Sequence, residues 1–90
     1  MRKGKIQTRI EEALKELEAS QVSVDCASED GEMLHVVVIT EKLAGMPMMK
    51  RFMMCAELME KNDPELTRTY SFIFEPVTRK EFETKIFGAV

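Results

Sequence analysis

Two cysteines and one histidine are the side chains of this sequence best suited to metal binding or redox chemistry. Cys26 follows a short β-branched segment, whereas Cys55 and His35 lie within apolar runs. A thiol at a strand end can act as a soft metal ligand, with an ordinary surface cysteine as the alternative. A lone cysteine or histidine inside an apolar run is usually part of the packing. Cys26 is therefore the candidate metal ligand, and we expect Cys55 and His35 to be structural.

The sequence lacks the motifs of the common enzyme classes. It shows no nucleophile and base at a known spacing, no paired carboxylates in a signature context and no glycine-rich loop to hold a phosphate. We therefore expect a binding protein and no catalytic residues.

A run of methionines is the strongest local bias in the chain. Thioether side chains fill irregular gaps in a core, and they also form adaptable surfaces for protein partners. Copper binding is a third reading, but it needs a convergent cluster of ligands. The neighbouring residues Lys50, Arg51 and Phe52 add a small basic and aromatic patch. The methionines are Met46, Met48, Met49, Met53, Met54 and Met59.

Composition indicates one globular domain that covers residues 1–90. Of the 90 residues, 44% are hydrophobic and 32% are charged, without a low-complexity tract. No apolar run reaches the length of about 20 residues that spans a bilayer, and no apolar stretch follows the basic first residues. We expect a cytoplasmic protein with reduced thiols, or an organellar one if a presequence was removed. The net charge of −3 argues against strong nonspecific binding to nucleic acid.

Apolar periodicity predicts two long helices. Residues 5–20 carry one apolar stripe, made of Ile6, Ile10, Ala13, Leu14 and Leu17. Thr8 and Glu11 fit a capping box, which would start this helix later. A second helix, from Pro47 to about residue 61, has Arg51 on another face from its apolar stripe. The stripe is made of Met49, Phe52, Met53, Ala56 and either Met59 or Glu60. Asn62, Asp63 and Pro64 end the helix, and a short polar bridge leads from there to the third strand.

Alternating and β-branched segments predict three strands, at residues 22–24, 34–40 and 70–74. The first two form a hairpin, with the second strand central. Thr78 and Glu81 form a capping box that opens a C-terminal helix. Helices that segregate against a three-stranded sheet make a two-layer α+β domain.

In order and spacing, these segments resemble the BolA family from about Ile6 to Phe82. The residues that carry the resemblance are the first amphipathic helix, the strand at 36–40, Leu43-Ala44-Gly45, Arg51 and Thr78-Arg79-Lys80-Glu81-Phe82. The resemblance implies a mixed sheet with helices on one face, similar to a type II KH domain, in the order α-β-β-α-α-β plus a C-terminal helix.

The resemblance also implies a partner and a cofactor. Many BolA proteins bind monothiol glutaredoxins and share a two-iron two-sulfur cluster with them, and some are assigned roles in DNA binding and stress-linked morphology. The family pattern places a cluster-ligating histidine where this chain has Phe52, and a second ligand falls at about Asp30. Because a phenyl ring cannot bind iron, Cys26 is the remaining candidate ligand for a cluster shared with a glutaredoxin. We expect no cofactor on the chain alone.

Our first functional hypothesis is an adaptor that docks on a monothiol glutaredoxin. The expected docking residues are Met48, Lys50, Arg51, Phe52 and Met53. Arg51 would orient the partner by its charge, and Phe52 would anchor it. Arg51→Glu or Phe52→Asp should then abolish docking without unfolding the domain.

The alternative is a KH-like regulator that binds nucleic acid. Its expected contacts are Arg2, Lys3, Lys5, Lys50 and Arg51. The single glycine, Gly45, departs from the Gly-x-x-Gly loop of KH domains and weakens this reading. Binding of this kind must fall steeply with added salt.

Overall fold

The computed structural model describes residues 3–88, and the side chains of residues 4–84. The elements are α1 (Lys3–Ala13), a 3-10 turn (Lys15–Leu17), β1 (Gln21–Cys26), β2 (Met33–Ile39), α2 (Met48–Asn62), α3 (Pro64–Thr69), β3 (Ser71–Val77) and α4 (Arg79–Gly88). Within these residues, no helix is both long and apolar enough to cross a membrane.

The sheet has the order β1-β2-β3, so the prediction that β2 is central is confirmed. β1 pairs with β2 antiparallel and β3 pairs with β2 parallel, which makes the sheet mixed. Side chains alternate between its two faces, and every second residue is buried under the helices. These buried residues include Val22, Val24, Leu34, Val36, Val38 and Phe74. The predicted two-layer α+β class is confirmed.

The first helix buries the predicted apolar stripe. Its five members, Ile6, Ile10, Ala13, Leu14 and Leu17, are all buried. The helix is shorter than predicted, since α1 ends at Ala13 and a 3-10 turn follows before Glu18 adopts a left-handed φ of 49°. The capping box at Thr8 is wrong, because this hydroxyl donates to the Gly4 carbonyl at 2.9 Å inside the helix.

The predicted polar bridge before the third strand is the six-residue helix α3. Asp63 caps it by accepting a hydrogen bond from the Leu66 amide, and Pro64 occupies the first turn. Arg9 of α1 donates to both oxygens of Asp63, at 2.7 and 2.9 Å, and this contact lowers the pKa of Asp63. The cap therefore also joins α3 to α1.

Candidate partner-binding surface

The second helix buries one side and exposes the other. Cys55 and Met59 are fully buried, and Arg51, four residues before Cys55, is buried as well. On the predicted apolar stripe Met59 is buried, whereas Met49 and Met53 are exposed. The stripe therefore meets the core only in the second half of the helix, and Arg51 takes a buried position in the first half.

Arg51 joins three segments of the chain. Its Nε donates to the carbonyl of Met46 at 2.7 Å, and one terminal nitrogen donates to the carbonyl of Pro76 at 3.2 Å. The two terminal nitrogens also donate to Glu81, at 2.6 and 3.1 Å. The guanidinium is therefore bound by the loop before α2, by β3 and by α4. A planar guanidinium suits such a site, since all three of its nitrogens donate to acceptors.

The capping box of α4 holds the carboxylate that Arg51 binds. Glu81 accepts a hydrogen bond from the Thr78 amide at 2.8 Å, and the Glu81 amide donates to the Thr78 hydroxyl at 3.1 Å, which confirms the predicted box. Arg51, followed by the Thr78 amide, lowers the pKa of Glu81 to about 2. Two motifs separated by 30 residues thus form one contact.

The expectation that Arg51 presents its charge to a partner is wrong for this structure. Its side chain is 5% exposed, whereas the side chain of Glu81 is 44% exposed. Arg51→Glu would place two carboxylates together inside the domain, so this substitution tests folding and not docking.

Four large apolar side chains of α2 face outward together. Met48, Met49, Phe52 and Met53 are 37% to 71% exposed, and we call them the methionine patch. Met49 and Met53 lie one turn apart, and so do Met49 and Phe52, which makes the patch continuous along the helix. Lys50 is exposed on the same first turn. The methionines of this region therefore fall into an exposed group, which forms the patch, and a packed group. Met46, Met54 and Met59 pack in or against the core.

An aromatic groove adjoins the methionine patch, between α2 and β3. Phe52 makes an edge-to-face contact with Phe74 at 5.6 Å between ring centroids, and Phe72 stacks on Phe74 at 5.4 Å. The cavity measures about 540 Å³ and also includes Ala56, Met59 and Tyr70. A cavity of this size and apolar character is typical of a binding site.

Cys26 is exposed at the end of β1 and lies in another cavity, lined also by Ile6, Gly31, Leu34 and Tyr70. The described residues contain no group of three or more His, Cys, Asp or Glu side chains that could hold a metal ion.

Asp30, at the position where the family pattern implies a second cluster ligand, stabilises the loop between β1 and β2. Its carboxylate accepts from the Ser28 hydroxyl at 2.6 Å and from the Glu32 amide at 2.9 Å, and these bonds, the Ser28 bond first, lower the pKa of Asp30. Asp30 therefore stabilises the reversal of the chain next to Cys26.

The remaining soft or imidazole ligands of the sequence are placed elsewhere. Cys55 is fully buried, and burial raises the pKa of its thiol to about 12, which confirms its structural role. His35 lies in β2 on the sheet face opposite the helices and pairs with Glu75 at 3.0 Å. Cys26 thus stands as a single candidate thiolate, and these residues do not fit the two-ligand pattern of a shared cluster.

Among the basic residues of the nucleic-acid alternative, those whose side chains the structure describes are not brought together. Arg2 lies outside the described residues, and so does the side chain of Lys3. Lys5 is exposed next to Ile6, at the hairpin end of the sheet. Lys50 is exposed at the other end, where its neighbour Arg51 binds Pro76 and Glu81 internally.

Sequence reasoning missed Phe72 and Phe74 of β3 and the preceding Tyr70 as residues of a site. The sequence pattern predicts only a strand here, although its alternation places Phe72 and Phe74 on one face. That signal was present in the sequence. Their meeting with Phe52 depends on how α2 packs on β3, which the sequence pattern alone does not state.

Comparison with known proteins places this architecture among BolA structures. BolA1 from Arabidopsis thaliana has a TM-score of 0.67 and 22% identity, over 83% of this chain and 93% of that chain. The BolA domain of SufE1 from Arabidopsis thaliana has a TM-score of 0.67 and 20% identity, over 84% and 94%. The solution structure of yeast Fra2 has a TM-score of 0.71 and 18% identity, over 96% and 88%.

No protein-family profile and no curated protein matches the sequence. The structural matches establish that this chain has the fold of BolA proteins, as the resemblance in its sequence implies.

Proposed function

We propose that this chain is a BolA-like adaptor that binds a monothiol glutaredoxin through the methionine patch. The observation that carries the proposal is the outward orientation of Met48, Met49, Phe52 and Met53 on a fold shared with BolA proteins. Contiguous apolar side chains on a small soluble domain commonly mark a protein interface. Thioethers suit such a surface because they adapt to the shape of the partner.

The internal role of Arg51 supports this orientation of the patch. Because the guanidinium occupies the side of α2 that faces β3, Met49 and Met53, on the opposite side of the first turns, point away from the core. In the proposed complex, Met49 and Met53 contribute apolar contact area, while Lys50 lies at the edge of the interface.

The proposed docking does not depend on a cluster ligand from Phe52. Cys26, the candidate ligand of this chain, is exposed at the hairpin end of the sheet, whereas the patch lies at the start of α2, near the other end. Docking through the patch does not by itself bring Cys26 to a cluster held by the partner. We propose iron handling or redox regulation by the partner as the context, and docking as the task of this chain.

Binding to a purified monothiol glutaredoxin tests the proposal. Met53→Asp should weaken the complex at least tenfold by isothermal titration calorimetry, since it places a charge within the apolar interface, a cost of about 1.4 kcal/mol or more. Met33→Asp is the matched control, because Met33 is also exposed but lies in β2, away from the patch. It should bind within about twofold of the parent chain.

Equal affinity of the parent chain and Met53→Asp would contradict docking through the patch. The titration is repeated without oxygen in the presence of iron and sulfide, with visible absorbance recorded across gel filtration. A coloured complex that becomes colourless with Cys26→Ser would assign the ligand. A colourless complex would leave an adaptor that binds without a cluster.

A further inference from the structure

One edge of β3 carries main-chain groups that have no partner among the described residues. In a parallel sheet, the amide and carbonyl of one residue point to the same neighbouring strand, and those of the next residue point to the opposite side. On the side of β2, the Ser71 amide donates to the Glu32 carbonyl at 2.8 Å, and the Val77 carbonyl accepts from the Thr40 amide at 2.9 Å. Phe72 and Phe74, which alternate with these residues, therefore direct their main chains to the outer edge.

Arg51 closes one end of this edge. Pro76 has no amide hydrogen, and its carbonyl accepts from Arg51 at 3.2 Å, on the side away from β2. The open part consists of the amide and carbonyl groups of Phe72 and Phe74. Such a short unpaired edge is a template for one additional strand.

The aromatic groove lies directly beside the open edge. Phe72 and Phe74 contribute both the free main-chain groups and two of the rings that line the groove. Glu57 and Glu60 also line it, and the lining of this described groove includes neither lysine nor arginine. The Thr67 hydroxyl donates to Glu60 at 2.6 Å, which holds that carboxylate near the start of β3.

We propose that the β3 edge binds an extended peptide segment from another protein, which adds a fourth strand to the sheet and carries both an apolar and a basic residue. The apolar side chain enters the groove and packs against the rings of Phe52, Phe72 and Phe74, which line it. A lysine or arginine of the segment, two residues from the apolar one and on the same face of the added strand, reaches Glu57 or Glu60. Main-chain hydrogen bonds to Phe72 supply affinity, and the two side chains supply specificity.

This site goes beyond the docking surface proposed above, since it uses β3 and the acidic wall of the groove. A second copy of the chain fits less well, because the groove beside its β3 also carries Glu57 and Glu60 and offers no basic residue to complement them. Nucleic acid fits less well for the same reason, since phosphates would meet these carboxylates.

A symmetrical synthetic peptide tests the proposal without any glutaredoxin. The probe is acetyl-Thr-Arg-Thr-Leu-Thr-Arg-Thr-amide, whose symmetry allows a parallel or an antiparallel strand. Titration into the ¹⁵N-labelled chain should shift the amide signals of Phe72 and Phe74. A control peptide carries N-methyl groups on the leucine and on the threonine at each side of it. Because N-methylation removes these main-chain donors, the control should bind about tenfold more weakly.

Charge variants separate the groove from general electrostatics. Glu57→Lys should weaken the arginine peptide about threefold or more, and it should improve binding of a peptide with glutamate in place of arginine. Glu29→Lys changes the net charge equally in an exposed loop and should leave the affinity unchanged. The proposal is overturned if the probe does not bind, if N-methylation has no effect, or if the shifts are confined to residues 48–53.

Discussion

The helices α1 and α2 both show apolar periodicity, but they bury different parts of it. In α1 the apolar stripe faces the sheet, and Ile6 and Ile10 are buried. In the first turns of α2 Met49 and Met53 are exposed and Arg51 is buried, whereas Met59 farther along the helix is in the core. An apolar pattern therefore does not by itself decide which of its residues reach the core. At the start of α2 the buried position belongs to a guanidinium that has acceptors on three segments of the chain.

The largest expected effect comes from equal truncations in the two helices. Ile10→Ala removes a fully buried side chain and should lower the free energy of unfolding by about 2–4 kcal/mol. Met49→Ala removes an exposed one and should change it by less than about 0.5 kcal/mol. Urea denaturation of both variants measures the difference. Equal losses would contradict the outward orientation of the methionine patch.

Removal of Arg51 should have the next largest effect. Arg51→Ala leaves the carbonyls of Met46 and Pro76 without a donor and should lower the free energy of unfolding by about 2–3 kcal/mol. This estimate is below that for a fully buried ion pair, because Glu81 is partly solvated. Lys50→Ala, at the exposed neighbouring position, is the control and should stay within about 0.5 kcal/mol in the same denaturation experiment. An equal decrease in the free energy of unfolding for both variants would contradict a structural role of Arg51.

The smallest expected effect is a dependence of stability on pH. Because Arg51 lowers the folded pKa of Glu81 from 4.5 to about 2, the ionised carboxylate stabilises the fold above pH 4.5. This contribution should disappear as the pH falls from 4.5 toward 2. Glu81→Gln should therefore lose less stability than the parent chain over that range, as measured by urea midpoints. Glu83→Gln, an exposed change in the same helix, should retain the parent slope.

Much of the fold could be predicted because its local signals agree. The stripe of α1, the central strand β2 and the capping box of Thr78 and Glu81 all match the structure. Each depends on residues that are close in the chain or repeat with a fixed period. The errors at Thr8 and in the bridge that forms α3 concern short local motifs for which several backbone conformations satisfy the same residues.

The candidate surface could be predicted only in part. Met48, Lys50, Phe52 and Met53 were selected from their composition, and the structure places all four at exposed positions of α2. Whether they bind a partner stays a prediction. Arg51 was selected for the same surface but lies inside, since its acceptors come from the loop before α2, from β3 and from α4.

The sequence by itself determined the element types, the central position of β2, the structural role of Cys55 and the absence of a histidine at position 52. These follow from residue identity and from patterns of period two or 3.6. Only the tertiary structure decided which side of α2 is buried, that Phe52 contacts Phe74, and that the outer edge of β3 beside them has no strand partner among residues 3–88. Those features depend on contacts between residues more than 20 positions apart, and a periodic pattern carries no information about such contacts.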